Sequence, residues 1–315
     1  MMKKVAILGG GTGMSQLLKG LKKFPFEISA IVAVSDDGRS TGRLRKEFNI
    51  PAIGDIRKVM ISLSDKEDIV RKLLNYRFKT NSDLDGHAVG NLLLTALADI
   101  DGSLAGGIAD LDDVLNLKGK VIPVTEDNVV LMGEMEDGHI VRGQHFITDD
   151  ARSINRVFYE KSPVASKEAV EAIKEADAIV LSTGSLYTSI IPNLLCPEIK
   201  NAIDESSGKV IYVCNIMTQP GETDGLTASD HVKTLNQYLG NKKIEVIVVN
   251  TANIEQDTID NYKSLQQKEP VIVDLSELKK MKIKAIKENF VLIEDNYLRH
   301  NSIKVALNIF SYLLD

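Results

Sequence analysis

Two neighbouring carboxylates, Asp36 and Asp37, follow a glycine-rich stretch, Gly9-Gly10-Gly11-Thr12-Gly13-Met14-Ser15, at a distance of about 20 residues. Glycines let backbone N–H groups approach an oxygen anion, and a helix after them adds unpaired N-terminal donors and the positive end of its dipole. An acid beside such a turn can accept hydrogen bonds from a ribose or hold a magnesium ion against phosphate oxygens. Phosphate chemistry is therefore the first expectation, with Gly10, Gly11, Thr12 and Gly13 at the anion and Asp36 or Asp37 as acid or metal ligand. Side chains of consecutive extended residues point apart, so the two acids need not serve one ion. The turn is neither a dinucleotide fingerprint nor a Walker loop. The third glycine of G-x-G-x-x-G would fall on Met14 or Gln16, and the Walker lysine is missing.

Further polar groups follow in the same register. Arg39, Arg43 and Arg45 could clamp phosphates with planar donor forks or form a solvated basic helix face. Asp55, in Ile53-Gly54-Asp55, is explained as well by a helix start as by a functional role. His87 and Asn91 are four residues apart, hence on one helix face, where they suit ligand recognition or proton transfer. A metal site there is weaker, because the other histidines are scattered. Ser182-Thr183-Gly184-Ser185 to Ser189 follows an apolar strand and reads as a second anion cradle. Asn215 and Asn250 end two later strands at the same edge. The stretch Gln219–Gly225 is turn-rich and reads as a surface loop, and Thr227 with Asp230 forms a capping-box pattern. No Ser-His-Asp set, nucleophilic cysteine or glycosidase acid pair stands out.

Elements must bring these groups together. Strand-like runs at Val5–Leu8, Ile28–Val34, Ala178–Leu181, Val210–Cys214 and Ile244–Val249 alternate with helical patterns, which predicts an α/β, doubly wound, mainly parallel sheet. The carboxyl ends of its strands would then collect the loops named above. From Gly54 to Asp113 almost everything is helical in pattern, with Val89, Leu92, Leu93, Ala96, Leu97 and Ile100 on one face. The expected organisation is a sheet domain over 1–53 and 114–315 with a helical insertion over 54–113. Short apolar pieces from Val121 to Ile147, broken at Asp127-Asn128 and Asp137-Gly138, predict hairpins or a meander. A last helix should start near Asn301 or Ser302 and run to Leu314, with Ile303, Ala306, Leu307 and Phe310 inward.

Composition sets the outer bounds. The chain has 315 residues, 43% of them hydrophobic, enough for a sizeable core. A net charge of −6 and a sequence pI near 5.5 argue against bulk binding to nucleic acid or an anionic membrane. Cys196 and Cys214 form no CxxC pair and read as reduced, buried thiols. No apolar run approaches the ~20 residues of a membrane helix, and the glycine loop interrupts the N-terminus before a signal core could form. A cytoplasmic protein is expected.

Several stretches together are similar to the YvcK/CofD-like family: Gly9 to Gly13, Asp36-Asp37-Gly38 to Gly42-Arg43-Leu44-Arg45, Gly54-Asp55-Ile56-Arg57, Gly86-His87 to Gly90-Asn91, Gly184-Ser185-Leu186-Tyr187-Thr188-Ser189, and Cys214-Asn215-Ile216-Met217-Thr218 to Gly225, ending near Arg299-His300. The likeness spans essentially the whole chain and is closest to the gluconeogenesis-factor branch. Ile53 and Lys58 replace a proline and an asparagine common in the family, and Arg39-Ser40-Thr41 replaces a second Gly-Ser pair. The resemblance implies a Rossmann-like domain with a smaller helical part. It also implies a regulatory protein that binds a UDP-sugar, UDP-N-acetylglucosamine or UDP-glucose, and is needed for growth and cell shape on gluconeogenic carbon sources. By the same likeness, Tyr262 and Arg299 match residues linked with the UDP-sugar, and Asn215 belongs to the shared pocket. Asp37, Arg43, Asn91, Gly184 and Ser185, read above from their own loops, are the other residues expected at the ligand. The transferase branch implies an alternative: magnesium-dependent transfer of a phospholactyl group from a nucleotide-diphosphate-linked donor to a deazaflavin precursor. Asp36 or Asp37 would then be the metal acid and His87 a candidate catalytic group. Both readings use one pocket, whether the chain catalyses anything stays open with a non-catalytic role favoured, and a homodimer stays open as well.

Overall fold

β-branched and other apolar residues recur in short runs along the chain, and the computed structural model pairs them into three sheets. It describes residues 2–65, 68–150, 152–294 and 297–314, with the Arg39 side chain outside that description. The first strands are β1 (Lys3–Gly9), β2 (Phe26–Val32) and β3 (Lys120–Pro123). Then come β4 (Leu131–Met135), β5 (Ile140–Arg142) and β6 (Ile154–Tyr159), followed by β7 (Ala178–Leu181), β8 (Lys209–Val213), β9 (Val246–Asn250) and β10 (Lys284–Glu288). A hairpin, β11 (Val291–Glu294) and β12 (Tyr297–His300), precedes the last helix.

The main sheet has seven strands in the order β3-β2-β1-β7-β8-β9-β10, and every neighbouring pair is parallel. The expected doubly wound parallel architecture is therefore present. Val5 to Leu8 and all of β7 are buried, as strands covered by helices on both faces must be. The chain winds outward from β1 to β3, then returns to the other side of β1 at β7 and winds the opposite way. Such a reversal opens a crevice between the carboxyl ends of the two central strands. A separate antiparallel sheet of order β5-β4-β6 carries the hairpin turn at Asp137-Gly138. Val121 and Ile122, grouped with the hairpins from sequence, belong instead to β3 of the main sheet.

Helix α1 (Gly11–Leu21) forms the first crossover. The second holds α2 (Arg39–Phe48), α3 (Gly54–Leu63), α4 (Asp68–Asn75), α5 (Val89–Asp101) and α6 (Leu104–Leu115). Helix α3 packs beside α1 and on β2 and β3, whereas α5 packs chiefly on α6. The apolar face of α5 read from sequence is turned outward: Gly90, Asn91, Leu94, Thr95 and Ala98 are buried, while Leu93 is 40% and Ile100 79% exposed. The small residues are needed inside, because a side chain at Gly90 would strike the Arg57 side chain and the Leu74 carbonyl.

The last helix, Ser302–Leu314, starts where expected and packs on α1. Its inward set is Val305, Ala306 and Ile309, with Phe310 partly buried, while Ile303 and Leu307 are each 48% exposed. Lys304, Asn308 and Ser311 gather on one side of the helix, and the outward face extends past them to take in Ile303 and Leu307. Both cysteines are buried free thiols, and burial pushes each up to about 12. Among the described residues no single helix is long and apolar enough to cross a membrane.

The whole crevice depends on α1 lying close against the segment after β7. A methyl group on Gly13 would collide with the Thr183 carbonyl. Gly13→Ala is accordingly expected to cost about 1–3 kcal/mol, read as a lower urea midpoint at unchanged slope.

Candidate functional site

The turn after β1 ends in Gly10, whose extended backbone starts α1 without any side-chain cap. Gly11 holds φ at +63°, a left-handed conformation that a side chain would strain. The first-turn N–H groups of α1 are thus left for a ligand, at the positive end of the helix dipole. They face a cleft of about 300 Å³ between the carboxyl ends of β1 and β7. Gly10, Thr12, Gly13, Gly184, Ser185, Asn215, Tyr262 and Arg299 all line it. Of the residues expected at the ligand, Gly11 adjoins this cleft through the chain, whereas Asp37, Arg43 and Asn91 do not line it.

Two side chains shape the β7 loop. Asn215 donates through Nδ2 to the Gly184 carbonyl at 2.7 Å and accepts from the Gly184 N–H at 3.1 Å. Ser185 caps the π-helical turn Leu186–Ile190 by accepting from the Thr188 N–H at 3.0 Å, and it donates to the Glu222 carboxylate. Its hydroxyl is committed to the loop. Glu222, from the stretch read as a surface loop, is only 7% exposed and also accepts from Gln219 Nε2 at 2.6 Å. Burial pushes its carboxyl up to about 7, although the Ser185 bond pulls the other way.

The opposite wall comes from the helix Gln256–Gln266, the loop after it, and β12. Tyr262 accepts from the Leu298 N–H at 2.6 Å, which ties that helix to the hairpin. The Arg299 guanidinium lies over the Tyr297 ring, 5.1 Å from its centroid. Lys268 lines the cleft with Arg299, and its ammonium is held below its ordinary value first by burial and then by the Arg299 charge, while Glu222 pulls the other way. Neither cation has an ion pair among the described residues. Buried His300, pushed down to about 4 by desolvation, is neutral, and its Nε2 lies 3.0 Å from the Cys214 carbonyl, fixing β12 on the end of β8.

A second cluster lies on the other side of the β1 turn. Asp36 accepts from the Gly38 N–H at 3.1 Å, and its carboxyl is raised first by burial and then by the neighbouring Asp55. Asp55 in turn receives Lys58 Nζ at 2.9 Å, and a methyl group at Gly10 would come within 2.8 Å of its Oδ2. The acid pair beside the turn is therefore Asp36 with Asp55. Asp37 points away and accepts from the His145 N–H at 2.8 Å, docking the small antiparallel sheet. Two close carboxylates fit a magnesium ion, which takes one or two such ligands and completes its shell with water and phosphate oxygen. No group of three or more His, Cys, Asp or Glu side chains gathers among the described residues.

Next to the acids, the Ser40 hydroxyl lies 3.0 Å from His87 Nδ1, and Asn91 Nδ2 reaches Ser40 at 3.4 Å. Burial and then Arg43 hold His87 below its ordinary value, so the imidazole is neutral near pH 7. Arg43 donates to the Asp83 and Asp85 carbonyls. Arg45, buried, donates to the carbonyls of Ser35, Asp36 and Val129 and to Asn128 Oδ1. These two arginines hold loops, and the Arg39 side chain lies outside the described residues. The capping box of Thr227 and Asp230 is formed as its spacing required. Lys268 and Glu222 escaped the reading of the sequence: each is a lone charge in a turn, and only the fold reveals what it faces.

Glu222 gives a test through pH. Its folded value of about 7 lies above the roughly 4.3 of an unfolded chain, so folding favours the protonated acid. Its contribution to stability is full below the unfolded value and is lost as pH rises through about 7. Glu222→Gln removes that dependence. Urea unfolding should show the variant losing less stability than the unaltered chain between about pH 5 and about pH 8.

Known proteins are similar to this chain over nearly its whole length. The family model of 2-phospho-L-lactate transferase CofD matches residues 5–291. The gluconeogenesis factor of Halalkalibacterium halodurans is 47% identical over 305 residues, covering 96% of this chain and 94% of that protein. That of Bacillus subtilis is 45% identical over 304 residues, covering 96% of each. A crystal structure of a Bacillus halodurans protein superposes with a TM-score of 0.95 at 45% identity, covering 100% of both chains. A second, described as a member of the UPF0052 family, gives 0.94 at 46% identity, covering 99% of this chain and 100% of the other. The chain thus belongs to the CofD/UPF0052 family, as a homologue of the gluconeogenesis factors.

Proposed function

We propose that this chain is a cytoplasmic, nucleotide-sugar-binding regulatory protein that takes UDP-N-acetylglucosamine or UDP-glucose in the cleft between the β1 turn and the β7 loop. Through that ligand it serves growth and cell shape on gluconeogenic carbon sources. The observation that carries the reading is that two cations, Lys268 and Arg299, line a cleft closed on its other side by the uncapped start of α1. In a chain of net charge −6, two cations that line one cleft without an ion pair among the described residues call for a ligand with more than one negative charge. A diphosphate meets that demand. The exposed ring of Tyr297 offers a flat face for a base, and Asn215 keeps the Gly184 backbone in place at the anion.

Calorimetric titration with UDP-N-acetylglucosamine and with UDP-glucose tests this directly. Arg299→Ala and Lys268→Ala should each weaken binding by about tenfold to a hundredfold, the worth of one hydrogen bond to a charged group. Tyr262→Ala should weaken it too, by releasing β12 from the helix that carries Tyr262. Absence of heat with both nucleotides on folded protein would remove the ligand assignment.

A second reading, transfer of a phospholactyl-type group from a nucleotide-diphosphate-linked donor, is favoured by the Asp36–Asp55 pair beside the same turn. Those two residues would hold a magnesium ion, which supplies charge neutralisation on phosphate oxygens. Asp36→Asn and Asp55→Asn should then abolish product formation in a direct assay with donor, deazaflavin acceptor and magnesium, while UDP-sugar binding in magnesium-free buffer is retained. No product from the unaltered chain excludes this transfer.

A further inference from the structure

Helix α1 borders two cavities. Gly13 and Gln16 turn toward the cleft already described, whereas Thr12, Ser15, Lys19 and Lys22, at spacings of three and four, form a stripe on the adjoining face of the helix. That stripe is one side of a separate groove of about 270 Å³, closed by α3, α4 and the end of α6. Lys58 of α3 and Arg71 of α4 join Lys19 and Lys22 in its lining, against the single acid Asp68 among the described lining residues.

The acids around the groove do not neutralise these cations one for one. Lys58 is held by Asp55 at 2.9 Å and Arg71 by Asp68, while Asp65 is divided between Lys22 and Lys118 at 3.5 Å each. Lys19 reaches only the Gln16 amide oxygen, at 3.1 Å, and has no ion pair among the described residues. The Lys22 side chain is 11% exposed, and burial holds its ammonium below the ordinary value although Asp65 pulls the other way. An anion entering the groove would relieve that cost.

The uncharged lining narrows the class of anion. Ser15 donates its hydroxyl proton to the Gly11 carbonyl at 2.9 Å, and Ser62 donates to the Val59 carbonyl at 2.7 Å. With their protons committed inside the helices, both oxygens offer the groove lone pairs, which suit hydroxyl donors on a ligand. Ile61, Val70, Leu74 and Leu115 supply an apolar wall, which suits the C–H face of a sugar ring. Cations, acceptor oxygens and an apolar wall together match a phosphate joined to a polyol.

We propose that this groove is a second ligand site, which takes a sugar monophosphate: the cations of α1 and α4 hold the phosphate, and the sugar hydroxyls donate to Ser15 and Ser62. Thr12 lines both cavities, so α1 is the element that the two sites share. The groove has its chemistry whatever the cleft binds.

Calorimetric titration of the full chain with glucose 6-phosphate, fructose 6-phosphate and ribose 5-phosphate should show saturable one-to-one binding of at least one of them. That binding should be at least about tenfold tighter than that of inorganic phosphate, and glucose should not bind. Lys19→Ala and Arg71→Ala alter exposed side chains, so circular dichroism and melting should stay the same while each weakens the sugar phosphate by about tenfold, the worth of one hydrogen bond between charged groups. Ser15→Ala should weaken the sugar phosphate and leave inorganic phosphate unchanged. Arg299→Ala, in the cleft, should spare the sugar phosphate; a loss there with none in Lys19→Ala or Arg71→Ala places the molecule in the cleft and overturns the proposal. Absence of binding by all three sugar phosphates, or inorganic phosphate binding as tightly as they do, overturns it as well.

Discussion

The structure depends on one close approach of backbone to backbone. Helix α1 begins so near the end of β7 that Gly13 has no room for a side chain beside Thr183. Because β1 and β7 are the two strands at which the winding reverses, this contact sets the width of the crevice. Nothing else in the site has its position without it. The loop after β7 is then fixed by Asn215, which pairs with both polar groups of Gly184, and by Ser185, which caps the following turn. The anion-facing end of α1 is thus framed by rigid groups whose own hydrogen bonds are already made, the condition for binding with little reorganisation.

Charge is distributed on the two sides of that turn in opposite senses. Lys268 and Arg299 stand together on one side, and Asp36 and Asp55 on the other. In each pair one member has its charged form destabilised by burial and a like neighbour, Lys268 on one side and Asp36 on the other. A molecule with a multiply charged anion and an accompanying cation relieves both. The two functional readings therefore differ less in where a ligand lies than in whether the acid side takes part, and the chain keeps the groups for both.

Much of this was legible in the sequence. The strand–glycine–helix pattern identified the turn, the alternation of strands and helices identified a parallel sheet, and the family likeness pointed to Tyr262, Arg299 and Asn215, which do line one cleft. What stayed hidden has physical causes. Asp55 looks like an ordinary first-turn acid because it is one, and only folding sets it against Asp36. Glu222 sits in a turn rich in glycine, proline and threonine, where burial of a carboxylate leaves no local mark. Lys268 carries no motif at all. Helix α5 was read correctly as amphipathic, but the pattern does not say which side a neighbour will cover, and here the chain's own neighbours cover the side with the small residues.

The wiring of the central strands also has a consequence in time. The Lys4 N–H is bonded to Asp177, 173 residues away, and β1 lies between β2 and β7, pairing along Lys3–Gly9 with the first and along Val5–Leu8 with the second. Contacts so distant in the chain are made late and slowly, because loop closure must be met before pairing repays it. During synthesis the glycine turn emerges well before its partner strand, which starts 173 residues after Lys4 with Asp177 at its entry. The N-terminal segment must therefore wait on the ribosome as an incomplete half, with an apolar strand edge in need of protection until β7 arrives.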